Sequence, residues 1–253
     1  TGQWVSFAHT TIGRYMPLSM YHDEHPDWYN GSSSQVCYSN EAMRHEMVKR
    51  IQEDIIAQKN GKYVMIGHED NLDMCECANC RRERELYGGY GAQELHFTNC
   101  VANEIDEWLK DNCPDRDIVF VFFAYQTSAM PPVKTEIVDG VETPVKDKDG
   151  NFIPLYDFDI KENVAVFYCP IEADFSKPFD EQNNGTQYFQ LKGWGDIFHK
   201  YGLYDNILIW SYSLPVRHYM VPFNNFGVVK SAYDFYKNLG ACYVMDQANY
   251  DSC

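Results

Sequence analysis

The sequence has no long apolar run and little positive charge, and these two features exclude several classes of protein. No stretch of about 18 apolar residues occurs among the 253 residues, so the sequence predicts no membrane-spanning helix. Lysine and arginine number 21 against 37 aspartates and glutamates, a formal net charge of −16. Nucleic acids and anionic membranes attract basic surfaces, so we expect neither as a partner. A neutral substrate such as a sugar is compatible with this charge.

The chain also has no recognisable signal peptide and begins at once with strand-like residues, "TGQWVSFAHT". We therefore expect a mature fragment or an excised domain. Hydrophobic residues make up 45% of the sequence, so a folded core is expected rather than disorder. A chain of 253 residues has the length of one α/β barrel domain.

Six short apolar runs predict strands of a parallel sheet covered on both faces, because they are continuously apolar rather than alternating. They lie at residues 3–8, 62–67, 117–124, 163–168, 206–211 and 241–245. Amphipathic patterns between them predict helices at 41–58, 93–111, 187–201 and 226–239. Strands that alternate with helices indicate α/β class with right-handed crossovers. We expect a single domain, 1–253, built as a (β/α)8 TIM-type barrel of which six strands are visible, with a β-hairpin inserted around 133–156.

Polar and aromatic residues follow these strands, where parallel α/β sheets bind their ligands. We expect them to form a polar pocket with aromatic walls. The predicted ligand contacts are His9, His68, Tyr125, Glu172, Trp210, Tyr212 and Asp246, with Arg217 and His218 further along the chain.

The adjacent acids Glu69 and Asp70 form the sharpest pair of candidate catalytic residues. Glycoside hydrolysis typically needs two carboxyl groups, and two close carboxylates favour protonation of one of them. In substrate-assisted enzymes the acetamide of the sugar attacks the anomeric carbon, one acid protonates the leaving oxygen and its neighbour orients the acetamide. The alternative is a structural loop acid that caps a helix or pairs with Arg81 or Arg82.

The segment "CECANC" places Cys75, Cys77 and Cys80 within six residues, and Cys37 could supply a fourth sulfur. Four thiolates suit a closed, structural zinc site, which leaves no open position for catalysis. One or two disulfides in an exported protein explain the same spacing, and both interpretations remain open. The total of nine cysteines is odd, so at least one is free, metal-bound or paired outside this chain.

Several motifs together resemble the bacterial domain of unknown function 4838, over nearly the whole chain. They are "SFAHTTIGRYMP", "HPDWY", "QVCYSN", "HEDNLDMCECANC", "HFTNCVANEI", "FAYQTSAMPP" and "ILIWSYSLPVRHYMVPFNN". The resemblance implies a barrel similar to glycoside hydrolase family 163, whose members are endo-β-N-acetylglucosaminidases acting on N-glycans of glycoproteins. That family's barrel begins upstream of the first residue here, which would account for the strands that are not visible.

Carried onto this sequence, the resemblance makes Asp70 the general acid and Glu69 the acetamide-orienting group or its supporting partner, with Glu172 as an alternative second carboxylate. Substrate-assisted pairs often read Asp-Glu or Asp-Asp, whereas the order here is Glu-Asp. Ser211 stands where many relatives carry an aspartate before the tyrosine.

We therefore expect a retaining glycoside hydrolase, secreted or at the cell surface, that cleaves N-acetylhexosamine-containing glycans or glycoproteins. No cofactor is expected for catalysis. The alternatives are a carbohydrate-binding barrel without activity, a metal-dependent hydrolase that uses the cysteine and histidine clusters, and a two-carboxylate glycosidase without acetamide participation.

Overall fold

Strands and helices alternate along the chain, which gives the protein its α/β fold. The computed structural model describes residues 3–212 and 223–247. Its strands are β1 (Trp4–Ser6), β2 (Tyr63–Ile66), β3 (Val119–Ala124), β4 (Thr135–Val138), β5 (Val141–Pro144), β6 (Val164–Tyr168), β7 (Ile207–Ser211) and β8 (Ala241–Asp246). Its helices are α1 (Leu18–Tyr21), α2 (Glu41–Ala57), α3 (Ala78–Tyr87), α4 (Tyr90–Asn112), α5 (Gly185–Lys200) and α6 (Val229–Asn238).

Six strands follow the order β1-β2-β3-β6-β7-β8, and their pairing is parallel. All six predicted strands are present, with ends within two residues of those expected. The described residues therefore confirm a parallel α/β fold but contain six strands of the expected eight. Strands β4 and β5 form an antiparallel hairpin inside the segment where the insertion was predicted.

The chain divides into two units, Thr1–Ser128 with Asp159–Ala165, and Ala129–Phe158 with Val166–Cys253. Strand β6 begins in the first unit and ends in the second. The main-chain N–H of Phe120 donates to Asn163 O (2.8 Å) in the first unit, and that of Val166 donates to Asn206 O (3.0 Å) in the second. Because both expected catalytic acids belong to the first unit, its packing matters most for the site.

Helix α2 forms as its sequence pattern predicts. The side chain of Asn40 accepts a hydrogen bond from the Met43 N–H (3.0 Å) and caps the first turn. One stripe of the helix is fully buried, at residues Met43, Met47, Ile51 and Ile55. This stripe covers one face of the first unit's sheet, as the 3.6-residue period requires.

Strand β3 is buried on both faces. Five consecutive residues, Phe120 to Ala124, are at most 1% exposed, so side chains pointing to either face are covered. This explains the continuous apolar run in the sequence, because a strand with one solvated face would alternate.

Helix α3 was not predicted, and helix α4 begins three residues earlier than expected. The sequence of α3, "ANCRRERELY", has no apolar stripe, and only Cys80 and Arg84 on it are buried. Gly88 (φ 95°) and Gly89 (φ 115°) separate the two helices in conformations that favour glycine. Helix α3 is polar and buries only Cys80 and Arg84, so its sequence lacks the apolar stripe by which a helix is usually predicted.

In the second unit, helix α5 packs against the hairpin insertion. The indole N–H of Trp194 donates to Ala129 O (3.0 Å), and the Phe152 N–H donates to Asp196 Oδ2 (2.7 Å). Within the described ranges, no helix is long and apolar enough to cross a membrane.

The burial of α2 leads to a matched test of its packing. Ile55 is fully buried, whereas its neighbour Ile56 is 55% exposed. We expect Ile55→Ala to lower the free energy of unfolding by about 2–5 kcal/mol, because it removes buried methyl groups and leaves a cavity. Ile56→Ala should change it by less than about 0.5 kcal/mol. Urea denaturation of both variants measures the difference, and equal effects would contradict this orientation of the helix.

Candidate functional site

The carboxyl ends of β1, β2 and β3 carry the polar residues predicted for the site in the first unit. These strands are neighbours and parallel, so the segments that follow them leave the same edge of the sheet. The segment after β1 contains His9 and a π-helical turn, Thr11–Tyr15. The segment after β2 contains His68, Glu69 and Asp70, and the segment after β3 contains Tyr125.

The segments after β1 and β2 approach each other closely at Gly67. A Cβ atom at this position would lie 2.3 Å from the Ala8 carbonyl oxygen and 2.7 Å from the Phe123 ring. Thr10 joins the two segments, because its N–H donates to Gly67 O (2.9 Å) and its hydroxyl donates to Met65 O (2.7 Å). Gly67 is therefore required for the close approach that places the residues after β2.

Asp70 presents an exposed carboxylate held from the neighbouring strand end. The phenol of Tyr125 donates to Asp70 Oδ1 (3.1 Å), and the amide of Gln126 donates to the same oxygen (3.4 Å). The Gln126 amide also donates to the Tyr125 hydroxyl oxygen (3.0 Å). Both of these hydrogen bonds use Oδ1, and the Asp70 residue is exposed.

Glu69 has a different environment, although it is the preceding residue. Its Oε1 accepts hydrogen bonds from the Ile12 N–H (2.7 Å), the Gly13 N–H (3.0 Å) and the Thr11 hydroxyl (3.2 Å). Glu69 thus caps the amide groups at the start of the turn Thr11–Tyr15. The structural alternative for this loop was an acid that caps the next helix, whereas Glu69 binds a turn that precedes it in the chain.

The two adjacent carboxylates therefore contact opposite neighbours of β2. Glu69 binds the segment that follows β1, and Asp70 binds the residues that follow β3. Three hydrogen bonds occupy one Glu69 oxygen with main-chain and side-chain donors. Each acid accepts its hydrogen bonds through one oxygen, and Asp70 is the more exposed member of the pair.

His68 and Glu94 form a buried pair directly beneath these acids, and both side chains are 1% exposed. Nδ1 of His68 lies 3.0 and 3.2 Å from the two carboxylate oxygens of Glu94. The pKa of His68 is raised above its ordinary value. Burial lowers it, but the charge and hydrogen bond of Glu94 outweigh burial, and the charges of Glu69 and Asp70 raise it further. Within the described part of the chain, no hydrogen bond reaches His68 Nε2.

Glu94 was not among the predicted site residues, although the sequence contains a signal for it. On helix α4 it falls on the stripe continued by Thr98, Val101 and Ile105, all of which are buried. A glutamate on the buried stripe of an amphipathic helix needs a partner, because an unpaired buried charge is costly. The partner, His68, lies 26 positions earlier in the sequence, and only the fold brings them together.

Aromatic rings connect the buried pair to the exposed acid. The ring of Tyr125 stacks on His68 with centroids 6.0 Å apart and an interplanar angle of 18°. His9 lies beside them, with its ring 5.2 Å from Phe123 and its Nδ1 at the main-chain oxygen of His68. The structure therefore brings together His9, His68, Glu69, Asp70 and Tyr125, as predicted from their positions after neighbouring strands.

The other predicted site residues belong to the second unit. The indole N–H of Trp210 donates to Gln247 Oε1 (2.9 Å), and Asp246 accepts a hydrogen bond from the Tyr233 hydroxyl (3.1 Å). Asp246 also lines a small cleft with Ser211, Asn225 and Tyr233. Tyr212 is buried with its ring 6.1 Å from Phe175, and Glu172 is exposed. Arg217 and His218 lie outside the described residues.

The four predicted cysteines form a cluster in the first unit. The sulfur atoms of Cys37, Cys75, Cys77 and Cys80 all lie within 4.8 Å of one another, and all four cysteines are free. Hydrogen bonds from the Cys37 thiol towards Cys75 and Cys80 raise the pKa of Cys37 and lower that of Cys80. The cluster thus joins the segment before α2 to the segment between β2 and α3 and to the first turn of α3.

Side-chain hydrogen bonds connect the same two segments beside the cluster. The amide of Gln35 donates to Glu69 O (2.9 Å), and its oxygen accepts from the Glu69 N–H (3.1 Å). Asn71 donates to Ser34 O (3.2 Å), and the hydroxyl of Ser34 donates to Asp73 (2.7 Å). The Gln35 amide therefore pairs with both the N–H and the C=O of Glu69, as the main chain of a neighbouring strand would.

These features define an α/β protein with a polar site at the carboxyl ends of parallel strands and a four-cysteine cluster beside it. The chain belongs to the family described as Domain of unknown function (DUF4838), whose model matches residues 1–146 and 153–252. No curated protein and no solved structure gives a significant match to the chain.

The buried pair predicts a specific change in proton binding. Glu94→Gln removes the charge that raises the pKa of His68, while burial still disfavours the imidazolium form. We expect the pKa of His68, followed by NMR titration of its ring, to fall below its wild-type value in this variant. Glu104→Gln is the matched control, because Glu104 lies on the same helix but pairs with Arg44 and His45 near the surface.

The same pair predicts the direction of a pH effect on stability. Because the pKa of His68 is raised in the folded state, its contribution is fully present below its unfolded value of about 6.5. That contribution is lost as pH rises through the folded pKa. Urea midpoints should therefore fall with pH more steeply in wild type than in Glu94→Gln. Identical pH profiles would contradict a charged His68–Glu94 pair.

Proposed function

We propose that this protein is a glycoside hydrolase that cleaves N-acetylhexosamine-containing glycans with Asp70 as general acid and base. The observation that carries the proposal is the exposed Asp70 carboxylate at the end of β2, oriented by Tyr125 and Gln126 from the end of β3. Parallel α/β proteins bind substrates at this edge. An exposed carboxyl group held through one oxygen suits proton transfer to a glycosidic oxygen.

The proposed reaction proceeds in two steps with retention of configuration. Asp70 gives its proton to the leaving oxygen while the acetamide oxygen of the substrate attacks the anomeric carbon and breaks the glycosidic bond. The Asp70 carboxylate then takes a proton from water, which attacks the same carbon and opens the cyclic intermediate. This scheme needs one acid–base residue from the protein, because the acetamide of the substrate is the nucleophile of the first step.

In this scheme Glu69 acts as a positioning residue rather than as the group that contacts the acetamide. Its Oε1 is occupied by donors of the turn Thr11–Tyr15, which favours the supporting role among those considered from the sequence. His9 and Tyr125 would line the sugar subsite, and His68 supports Tyr125 from below. In the second unit, Glu172, Trp210, Tyr212 and Asp246 remain predicted substrate contacts.

The finer features of the family resemblance belong to the same proposal. They are a complete (β/α)8 barrel, endo-β-N-acetylglucosaminidase activity similar to glycoside hydrolase family 163, N-glycans of glycoproteins as substrate, and a secreted or cell-surface location. Catalysis would require no cofactor. The strongly acidic composition, with a net charge of −16, is compatible with a neutral glycan.

The activity test is a screen of glycopeptides that carry N-glycans, with mass analysis of the products. We expect Asp70→Asn to lower kcat/KM by at least about 100-fold, because general acid–base catalysis typically contributes this much. Asp115→Asn is the control, since Asp115 is an exposed aspartate of the first unit in the loop after α4. Circular dichroism of both variants establishes that the fold is intact.

Near-normal turnover by Asp70→Asn would reject the assignment of the acid. Binding of the glycan by wild type without any cleavage would favour the carbohydrate-binding alternative. Activity that is lost with a chelator and restored by added metal, with the fold unchanged throughout, would favour the metal-dependent hydrolase.

Acetamide participation predicts a preference between two matched substrates. Aryl β-N-acetylglucosaminide and aryl β-glucoside differ at the group that would attack the anomeric carbon. We expect turnover of the first and none of the second above the rate without enzyme. Comparable rates on both would instead support a glycosidase with two protein carboxylates, for which Glu172 is the predicted second group.

A further inference from the structure

We propose that Cys37, Cys75, Cys77 and Cys80 bind one zinc ion as a closed structural site that fixes the loop carrying Asp70. Four sulfurs from two separate segments converge on one point in the first unit. Among the described residues, these four cysteines are the potential metal ligands found clustered in groups of three or more. The site is independent of the proposed glycosidase activity, because it concerns the position of the loop rather than the reaction.

The spacing of the sulfurs matches zinc geometry. Zinc–thiolate bonds of about 2.3 Å place the sulfurs of a tetrahedral site about 3.8 Å apart. Cys37 Sγ lies 3.7 Å from Cys77 Sγ and 3.7 Å from Cys80 Sγ, and all four sulfurs lie within 4.8 Å of one another. A disulfide requires a sulfur–sulfur distance of about 2.05 Å and joins only two sulfurs, so one disulfide does not account for four sulfurs that lie this close together.

Groups that can donate hydrogen bonds lie close to the sulfurs. Cys77 caps helix α3, and its sulfur accepts a hydrogen bond from the Cys80 N–H (3.4 Å). The positive end of the helix dipole therefore faces the two sulfurs of the Cys-x-x-Cys turn. The hydroxyl of Ser39 lies 3.5 Å from the sulfurs of Cys37 and Cys77 and 3.2 Å from that of Cys80. Each thiol that binds zinc gives its proton to solvent, and these donors offset the resulting negative charge.

Buried polar side chains hold the main chain around the cluster, as expected around a metal site. The guanidinium of Arg84 donates to Cys75 O (2.8 Å) and pairs with Glu76 (2.7 Å). The amide of Gln93 donates to Cys80 O (3.5 Å). Arg84 and Gln93 are buried on α3 and α4, so side chains of both helices hold the main chain of the cysteine segment.

Four cysteine ligands leave no open coordination position, so the zinc is structural rather than catalytic. The proposed role of the zinc ion is to hold two loops together. Cys37 follows Gln35 by two residues, and Gln35 binds the main chain of Glu69, the residue before Asp70. A zinc ion that joins Cys37 to Cys75, Cys77 and Cys80 therefore closes the loop that presents Asp70.

The test measures metal content, thiol state and stability of the purified chain. We expect about one zinc per chain by elemental mass spectrometry. Alkylation of unfolded protein without reductant, in the presence of a chelator, should modify all four cysteines. Cobalt added to the metal-free protein should give the intense visible bands of tetrahedral thiolate coordination. Chelation should lower the melting temperature of wild type.

Cys77→Ser should lose the bound zinc and the effect of the chelator on melting. Cys77 is the exposed ligand, so this variant is the one best suited to fold. Cys113→Ser is the matched control, a partly exposed cysteine outside the cluster, and it should keep both properties. If Cys77→Ser fails to fold, the cobalt spectrum of wild type still decides the question.

Three outcomes would overturn the proposal. Cluster cysteines that resist alkylation until a reductant is added would establish disulfides. Zinc content unchanged in a folded Cys77→Ser variant would place the metal elsewhere. Iron at one atom per chain in place of zinc would reject the assignment of the metal.

Discussion

The position of Asp70 depends on the connection between two loops, the one before α2 and the one after β2. Gln35 forms two hydrogen bonds with the main chain of Glu69, and the cysteine cluster joins the same loops a few residues away. Loop main chain of this kind would otherwise be mobile, because few backbone hydrogen bonds hold it. The polar site is therefore organised by side chains rather than by the sheet alone.

Adjacent acids at the end of a strand need not act together, and their separation here has a physical origin. Both acids lie beyond the end of β2, and β2 lies between β1 and β3 in the sheet. Glu69 accordingly serves the segment after β1, whereas Asp70 meets Tyr125 after β3. Glu69 therefore binds a neighbouring turn, whereas Asp70 is exposed, so the two acids have different environments.

Much of the fold could be predicted from the sequence because apolar runs and helix stripes report burial directly. The stripe on α2 and the buried run of β3 are examples, and all six parallel strands were found.

Helix α3 was missed because its two buried residues, Cys80 and Arg84, are held by polar contacts that carry no periodic signal. Glu94 was missed because its partner lies on a distant segment, although its place on a buried stripe indicated that it needed one. The convergence of Cys37 on the other three cysteines was predicted by count and spacing, whereas the sulfur geometry required the fold.

Stability alone does not account for the buried His68–Glu94 pair, because desolvation of two charged groups offsets part of their attraction. Its place in the site offers a better account. Glu94 on α4 holds His68, His68 stacks on the ring of Tyr125, and the phenol of Tyr125 donates to Asp70. Each contact restricts the next side chain, so a helix of the core determines the orientation of an exposed carboxylate. A hydrophobic pair at 68 and 94 could pack equally well, but it would not supply the charge that Asp70 faces from below.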